Sequence, residues 1–199
     1  MILPNQLTVL RIILTPVFMV LFLSDDPFYI QISMGVYIVA AITDWYDGWL
    51  ARKFNYITTW GKFLDPLADK ILTSAAFIAF VVLGALELWM VIIIVIRDFL
   101  ITGIRAYAEY HHLNFSTSRS AKWKTFYQMT FIYYLLVFYT LKTISYIPKD
   151  IQEILILFID KSIVYWLMLG VTILTFITGI QYIIKNRKLI KDLFNFATK

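Results

Sequence analysis

No cysteine occurs in the 199 residues, so disulfides are excluded and the redox compartment is left open. Histidine is nearly absent too. His111 and His112 are the only two, which argues against a zinc or copper site. Seven glycines and five prolines form no linker, low-complexity tract or repeat. Charged residues make up only 16% of the chain, where a soluble domain carries about a quarter. In their place stands a 60% apolar composition. These shortages together point to an integral membrane protein, long enough for one bundle spanning 1–199 and not for two domains.

Apolar runs long enough for spanning helices, about 20 residues each, lie near 7–23, 31–51, 63–83, 88–108, 124–143 and 162–184. The first is interrupted by Arg11 and Pro16 and lacks a small-residue cleavage site after it, unlike a signal peptide. Basic residues alternate between loops. Arg52, Lys53 and Lys62 follow the second run, Arg105, Arg119, Lys122 and Lys124 flank the fourth connection, and Lys185, Arg187, Lys188, Lys191 and Lys199 fill the tail. The other loops hold Asp25 and Asp26, Glu87, or a mixture of both signs. An all-α bundle of six transmembrane helices with both termini cytoplasmic puts every basic loop inside. The net charge of +5 is therefore mainly a topology signal, compatible with attraction to anionic membrane lipid. Nucleic-acid binding is not expected, because the basic residues are spread over membrane-edge loops.

Against this apolar background the segment 43–70 gathers four carboxylates. Asp44 and Asp47 are three residues apart and share a helix face, which Gly48 and Ala51 continue. Asp65 and Asp69 are four apart on the next helix, across a connection of about ten residues, so the two pairs converge. Two like charges about 4 Å apart repel by roughly 4 kcal/mol at an effective dielectric near 20. Such a cluster either takes up protons or holds cations. Oxygen ligands without cysteine favour Mg²⁺ or Mn²⁺. Any one of these residues alone reads equally well as a solvated carboxylate at a helix end, and Asp65 before Pro66 suits a helix start. Four together, with Gly48 and Gly61, read as a site.

The residues Asp44, Asp47, Gly48, Ala51, Arg52, Gly61, Asp65 and Asp69 form the pattern D-x2-D-G-x2-A-R-x8-G-x3-D-x3-D. It resembles the signature of the CDP-alcohol phosphotransferases. Further stretches resemble the bacterial phosphatidylglycerophosphate synthases within that family: Asn5 to Arg11 with Pro16, Gly61 to Lys70, Lys122 to Met129, and Thr178 to Tyr182. The chain departs from that subfamily at Asp98, where glutamate is expected after Arg97, and at Ala121, where glycine is expected.

The resemblance implies a six-helix, commonly homodimeric enzyme of the bacterial plasma (inner) membrane, with its site on the cytoplasmic side. It would transfer the phosphatidyl group of CDP-diacylglycerol to glycerol 3-phosphate and release CMP. Two divalent metal ions, Mg²⁺ or Mn²⁺, would be held by Asp44, Asp47, Asp65 and Asp69, with Asp69 also the general base. The CDP-lipid would meet Asn5, Thr8, Gly48, Arg52 and Thr58. Glycine at 48 lets a nucleotide approach the backbone, and Arg52 offers phosphate oxygens a fork that lysine cannot copy.

Arg97, Asp98 and Arg105 lie on or just beyond a run as apolar as VIIIVI, where charges are costly and usually face a polar interior. With Arg119, Lys122 and Lys124 they suit an acceptor that carries phosphate. The plainer alternative is an internal Arg–Asp pair plus loop anchors. His111 and His112 read as interfacial, and Tyr and Trp near helix ends as an aromatic belt. Two rival classes are a membrane prenyltransferase, which would be larger and lack the D-G-x2-A-R arrangement, and a divalent-cation transporter. The latter would string its carboxylates across the bilayer instead of clustering them at one edge.

Overall fold

The structure is a computed structural model that describes residues 3–54, 59–110, 119–187 and 190. Helix is the only regular element among them. The order is α1 (Leu3–Phe22), α2 (Pro27–Phe54), α3 (Thr59–Val82), α4 (Leu88–Tyr110), α5 (Arg119–Lys142), α6 (Lys149–Phe158) and α7 (Lys161–Lys185). Each of the six expected apolar runs lies within a long helix or overlaps one closely. The helices run beyond them, because a helix continues into polar sequence after its apolar face ends. The short α6 was not expected. Lys149, Asp150 and Glu153 give its segment the composition of a loop, yet Leu155 is buried and α6 packs on α5.

The connections are locally determined. At the end of α3, Gly84 takes φ +70°, and the amides of Gly84 and Ala85 donate back to Val81 and Phe80 at 2.9 Å each. That is a Schellman ending, which needs a residue able to enter the left-handed region. Asp160 starts α7 by accepting hydrogen bonds from the amides of Ser162 (2.8 Å) and Ile163 (3.4 Å). Asp26 accepts from the amide of Phe28 at 2.9 Å where α2 begins.

α3 is the central helix, packed on α1, α2, α4 and α5. Its alanines 68, 75, 76 and 79 are buried, so neighbouring backbones come close. Around it α1 pairs with α2, and α7 closes the bundle against α4 and α5. The end remote from Asp65 is filled by aromatic rings. Phe22 meets Phe80 edge-on at 5.2 Å, Phe80 meets Tyr139 at 5.2 Å, and Phe18 lies 5.1 Å from Tyr37.

Apolar and polar residues are distributed inside out relative to a soluble protein. Val20, Ile96, Trp166, Phe176 and Ile184 face outward, while Thr8, Arg11, Asp98, Lys124, Gln128 and Thr175 are buried. By length and composition alone, one stretch among the described residues is apolar enough to cross a membrane: Lys149–Lys185, comprising α6, the break after it and α7. Gln6–Phe22 and Pro27–Thr43 are shorter apolar helices. In α3 and α4 charged residues such as Asp69 and Asp98 interrupt the apolar sequence, and α5 is diluted by its Tyr, Thr and Gln residues.

Replacing Phe80 with alanine removes a ring packed between α1 and α5 and is expected to cost about 3–5 kcal/mol. Phe28→Ala, at an exposed position, should cost little. Apparent Tm values of the two purified variants check this. Equal values would contradict the packing described.

Candidate functional site

One turn of α3 separates Asp65 from Asp69, and the helix holds them on one face. Asp65 accepts a hydrogen bond from the hydroxyl of Thr8, so α1 fixes one of its oxygens and leaves the other for a further partner. Asp69 lines an open cavity of about 800 Å³ whose walls come from α3, α4, α5 and α7. Lys70 lies beside it, with Nζ 3.2 Å from Asp69 Oδ2.

The far wall of that cavity is cationic. Arg97 and Arg105 reach it from α4 and Lys122 from α5, together with Thr102, Thr125 and the Tyr182 ring. Helix periodicity explains the α4 pair. Positions 97, 98, 101, 102 and 105 repeat at three and four residues and form one face. Arg97 is aimed by two contacts. Its guanidinium donates to Asp98 Oδ1 at 3.0 Å and to the Thr178 hydroxyl at 3.3 Å. Its stem crosses bare backbone at Gly179, where an added Cβ would sit 3.1 Å from Arg97 Cγ.

Asp98 is 3% exposed and is the centre of the charge arrangement. Its Oδ1 accepts from Lys124 as well as from Arg97. Its Oδ2 lines up toward Lys70 at 4.0 Å, beyond hydrogen-bond reach, and accepts no hydrogen bond from a described residue. Lys124 is fully buried in this pair and does not line the cavity. The cavity itself gathers Lys70, Arg97, Arg105 and Lys122 against Asp69 and Asp98, an excess of positive charge in an otherwise apolar bundle.

Other expected site residues are placed less fully. Asp44, Asp47, Gly48 and Arg52 occupy the C-terminal half of α2, Asn5 the first turn of α1, and Arg119 the start of α5. Their side-chain surroundings are not among those described, and Thr58, His111 and His112 lie outside the described residues. Among described side chains no group of three metal-binding residues forms. Asp65 and Asp69 supply oxygen donors only, and the helical spacing of Asp44 and Asp47 repeats that chemistry on α2. Such a donor set fits a hard divalent cation. In the sequence Lys70 and Tyr182 figure only as the ends of stretches that resemble the synthases, with no role in the site. The signal available for Lys70 was its adjacency to Asp69. For Tyr182 the resemblance of its stretch was the signal, while its place in the wall depends on how α7 packs.

Comparison with known proteins agrees with this arrangement of motifs. A family model described as CDP-alcohol phosphatidyltransferase matches residues 1–174. The chain is similar to proteins named CDP-diacylglycerol--glycerol-3-phosphate 3-phosphatidyltransferase. That of Rickettsia typhi is 33% identical over 180 residues, covering 90% of this chain and 94% of the relative. That of Haemophilus influenzae is 34% identical, covering 83% and 89%. That of Bacillus subtilis is 44% identical over 115 residues, a match spanning 52% of this chain and 60% of the relative's length. With the family pattern extending from α1 into α7, the chain belongs to the CDP-alcohol phosphatidyltransferase family.

Proposed function

We propose that the protein is a membrane-embedded transferase that moves the phosphatidyl group of CDP-diacylglycerol onto glycerol 3-phosphate, giving phosphatidylglycerophosphate and CMP in phospholipid biosynthesis. The observation that carries the reading is the shared cavity. A carboxylate able to take a proton, Asp69, faces the same space as Lys70, Arg97, Arg105 and Lys122. An acceptor that pairs a hydroxyl with a phosphate matches both walls. The names of the similar proteins supply the same pair of substrates.

In this reading Arg97, Arg105 and Lys122 hold the acceptor phosphate, with Arg119 at the start of the same helix as Lys122. Asp69 takes the proton of the attacking hydroxyl, which must come within about 3 Å of it. The new bond forms between that oxygen and the β-phosphorus of the CDP-lipid, and the bond to CMP breaks. Arg52, Asn5, Thr8, Gly48 and Thr58 belong to the donor side. Thr8 acts there through Asp65, whose carboxylate it orients. Two divalent cations, Mg²⁺ or Mn²⁺, on Asp44, Asp47, Asp65 and Asp69 would neutralise the pyrophosphate and the departing charge.

Six spans in a bacterial plasma membrane, with both termini and the site on the cytoplasmic face, are consistent with the outward apolar faces and with the loop charges. A homodimer is inferred from the family resemblance. Transport of a divalent cation would require polar groups along a path through the bundle. The remote end is instead packed with Phe18, Phe22, Phe77 and Phe80.

Two measurements test the reading. EDTA is expected to abolish CMP release and Mg²⁺ or Mn²⁺ to restore it; full turnover by thoroughly chelated enzyme would contradict the carboxylate site. Arg105→Ala removes a charge-assisted contact to phosphate and should raise the KM for glycerol 3-phosphate roughly ten- to a hundredfold. The KM for CDP-diacylglycerol should change far less. Equal damage to both would make Arg105 structural.

A further inference from the structure

Helix α6 takes no part in the chemistry proposed above, yet most of its apolar residues are exposed. The apolar stretch Lys149–Lys185, to which it belongs, is 37 residues long. At about 1.5 Å per residue it would measure about 55 Å, against a hydrocarbon core of about 30 Å. The 25 residues of α7 suffice to cross by themselves. α6 is left over, and its place follows from its neighbours.

α5 and α7 run antiparallel. At one end the Ser120 hydroxyl donates to Gln181 Oε1 at 3.1 Å. At the other, the Phe138 and Phe158 rings stack at 4.9 Å, and the Tyr134 hydroxyl donates to the Phe158 carbonyl. An equal rise per residue from Ser120 and from Gln181 puts Asp160 level with about Leu141. α5 ends at Lys142, so the chain returns at the height at which it left. Near the start of α6, Gln152 donates to the carbonyl of Ile144, just beyond that end, at 3.5 Å. A 10-residue helix between such points lies across the end of the bundle instead of entering it.

The faces of α6 differ. Ile151, Ile154 and Phe158 recur at three and four residues and form one exposed stripe, widened by Leu157. Leu155 beside them is buried where α6 packs on α5. Lys149 and Glu153 lie about 160° around the helix from Ile151. The height of this helix is marked by tryptophan. Trp89 and Trp166 are both exposed and stand within two turns of the starts of α4 and α7. Glu87 and Met90 line one small hollow with Lys161 and Tyr165, so those two starts are neighbours. Exposed tryptophans at one height of a membrane bundle mark the boundary between lipid and water. We propose that α6 is an interfacial helix of the outer leaflet. Its stripe of Ile151, Ile154 and Phe158 dips among the lipid acyl chains, and Lys149 and Glu153 stay in water. The stripe continues the outward apolar side of α7, where Ile163 and Leu167 are exposed too. This placement rests on the membrane reading above and goes beyond it, since α6 neither spans the bilayer nor touches the site.

The absence of cysteine makes the test direct, because each introduced thiol is the only one in the chain. Ile151→Cys, Glu153→Cys, Ile154→Cys and, as a reference on α4, Ile96→Cys are made in the full chain. Each is labelled with a nitroxide and reconstituted into vesicles of phosphatidylethanolamine and phosphatidylglycerol. Electron paramagnetic resonance then compares collisions with oxygen, which concentrates in lipid, and with a water-soluble nickel chelate. The oxygen-to-nickel ratio should be severalfold higher at 151 and 154 than at 153, and highest at 96. A ratio at 151 and 154 as low as at 153, with 96 still in lipid, would overturn the placement and leave α6 in water. Exclusion of both reagents at 151 and 154 would overturn it too, since a second copy of the chain would then cover the stripe. A label at 96 that collides mainly with the nickel chelate would sink the membrane reading itself. Should Ile154→Cys not fold, Ile151→Cys on the same stripe decides.

Discussion

A single carboxylate, Asp98, holds the site end of the bundle together. Lys124 has no exposed surface and Asp98 has 3%, so neither charge could remain there alone. Removing one member of such a buried pair typically costs about 3–5 kcal/mol, because the other is left uncompensated. Asp98 also receives Arg97, which is tied in turn to Thr178 on α7, and it lies near Lys70 on α3. α3, α4, α5 and α7 are thereby set around one anion, and the cavity is the space they leave. The remote end needs no such device, since its interlocked rings bury themselves.

The excess of cations over carboxylates in that cavity is the property that gives it a use. In a bundle whose outside is apolar, unneutralised positive charge is costly unless an anion arrives. In the proposed reaction a phosphate-bearing acceptor would supply it, and Arg97 is held for such a contact, its stem lying across Gly179 and its head bonded on two sides. Asp69 lines the same cavity, so in the proposed reaction charge neutralisation would fall to α4 and α5 and proton transfer to α3.

Much of this was legible in the chain because it is local. Asp65 and Asp69 share a face by their spacing alone, and the six long helices follow from apolar runs. What was not legible depends on packing across helices. Asp98 and Lys124 are 26 residues apart on different helices, and no periodicity pairs them. From the sequence, Lys124 looks like one more cation for the acceptor; the structure spends its charge on Asp98. Lys70 and Tyr182 were given no role in the site for the same reason. α6 was missed in the opposite sense: its charges read as loop, while Leu155 and its contact with α5 make it a packed helix.

The central claim is that this cation-lined cavity receives a phosphorylated acceptor beside Asp69. The most direct measurement supplies the purified protein with CDP-diacylglycerol and, in turn, glycerol 3-phosphate, serine, inositol phosphate and phosphatidylglycerol, and identifies the lipid product by mass spectrometry. Phosphatidylglycerophosphate formed with stoichiometric CMP from glycerol 3-phosphate, at rates well above the other three, is the result the account predicts. Efficient transfer to serine, whose acceptor carries no phosphate, with none to glycerol 3-phosphate would contradict it.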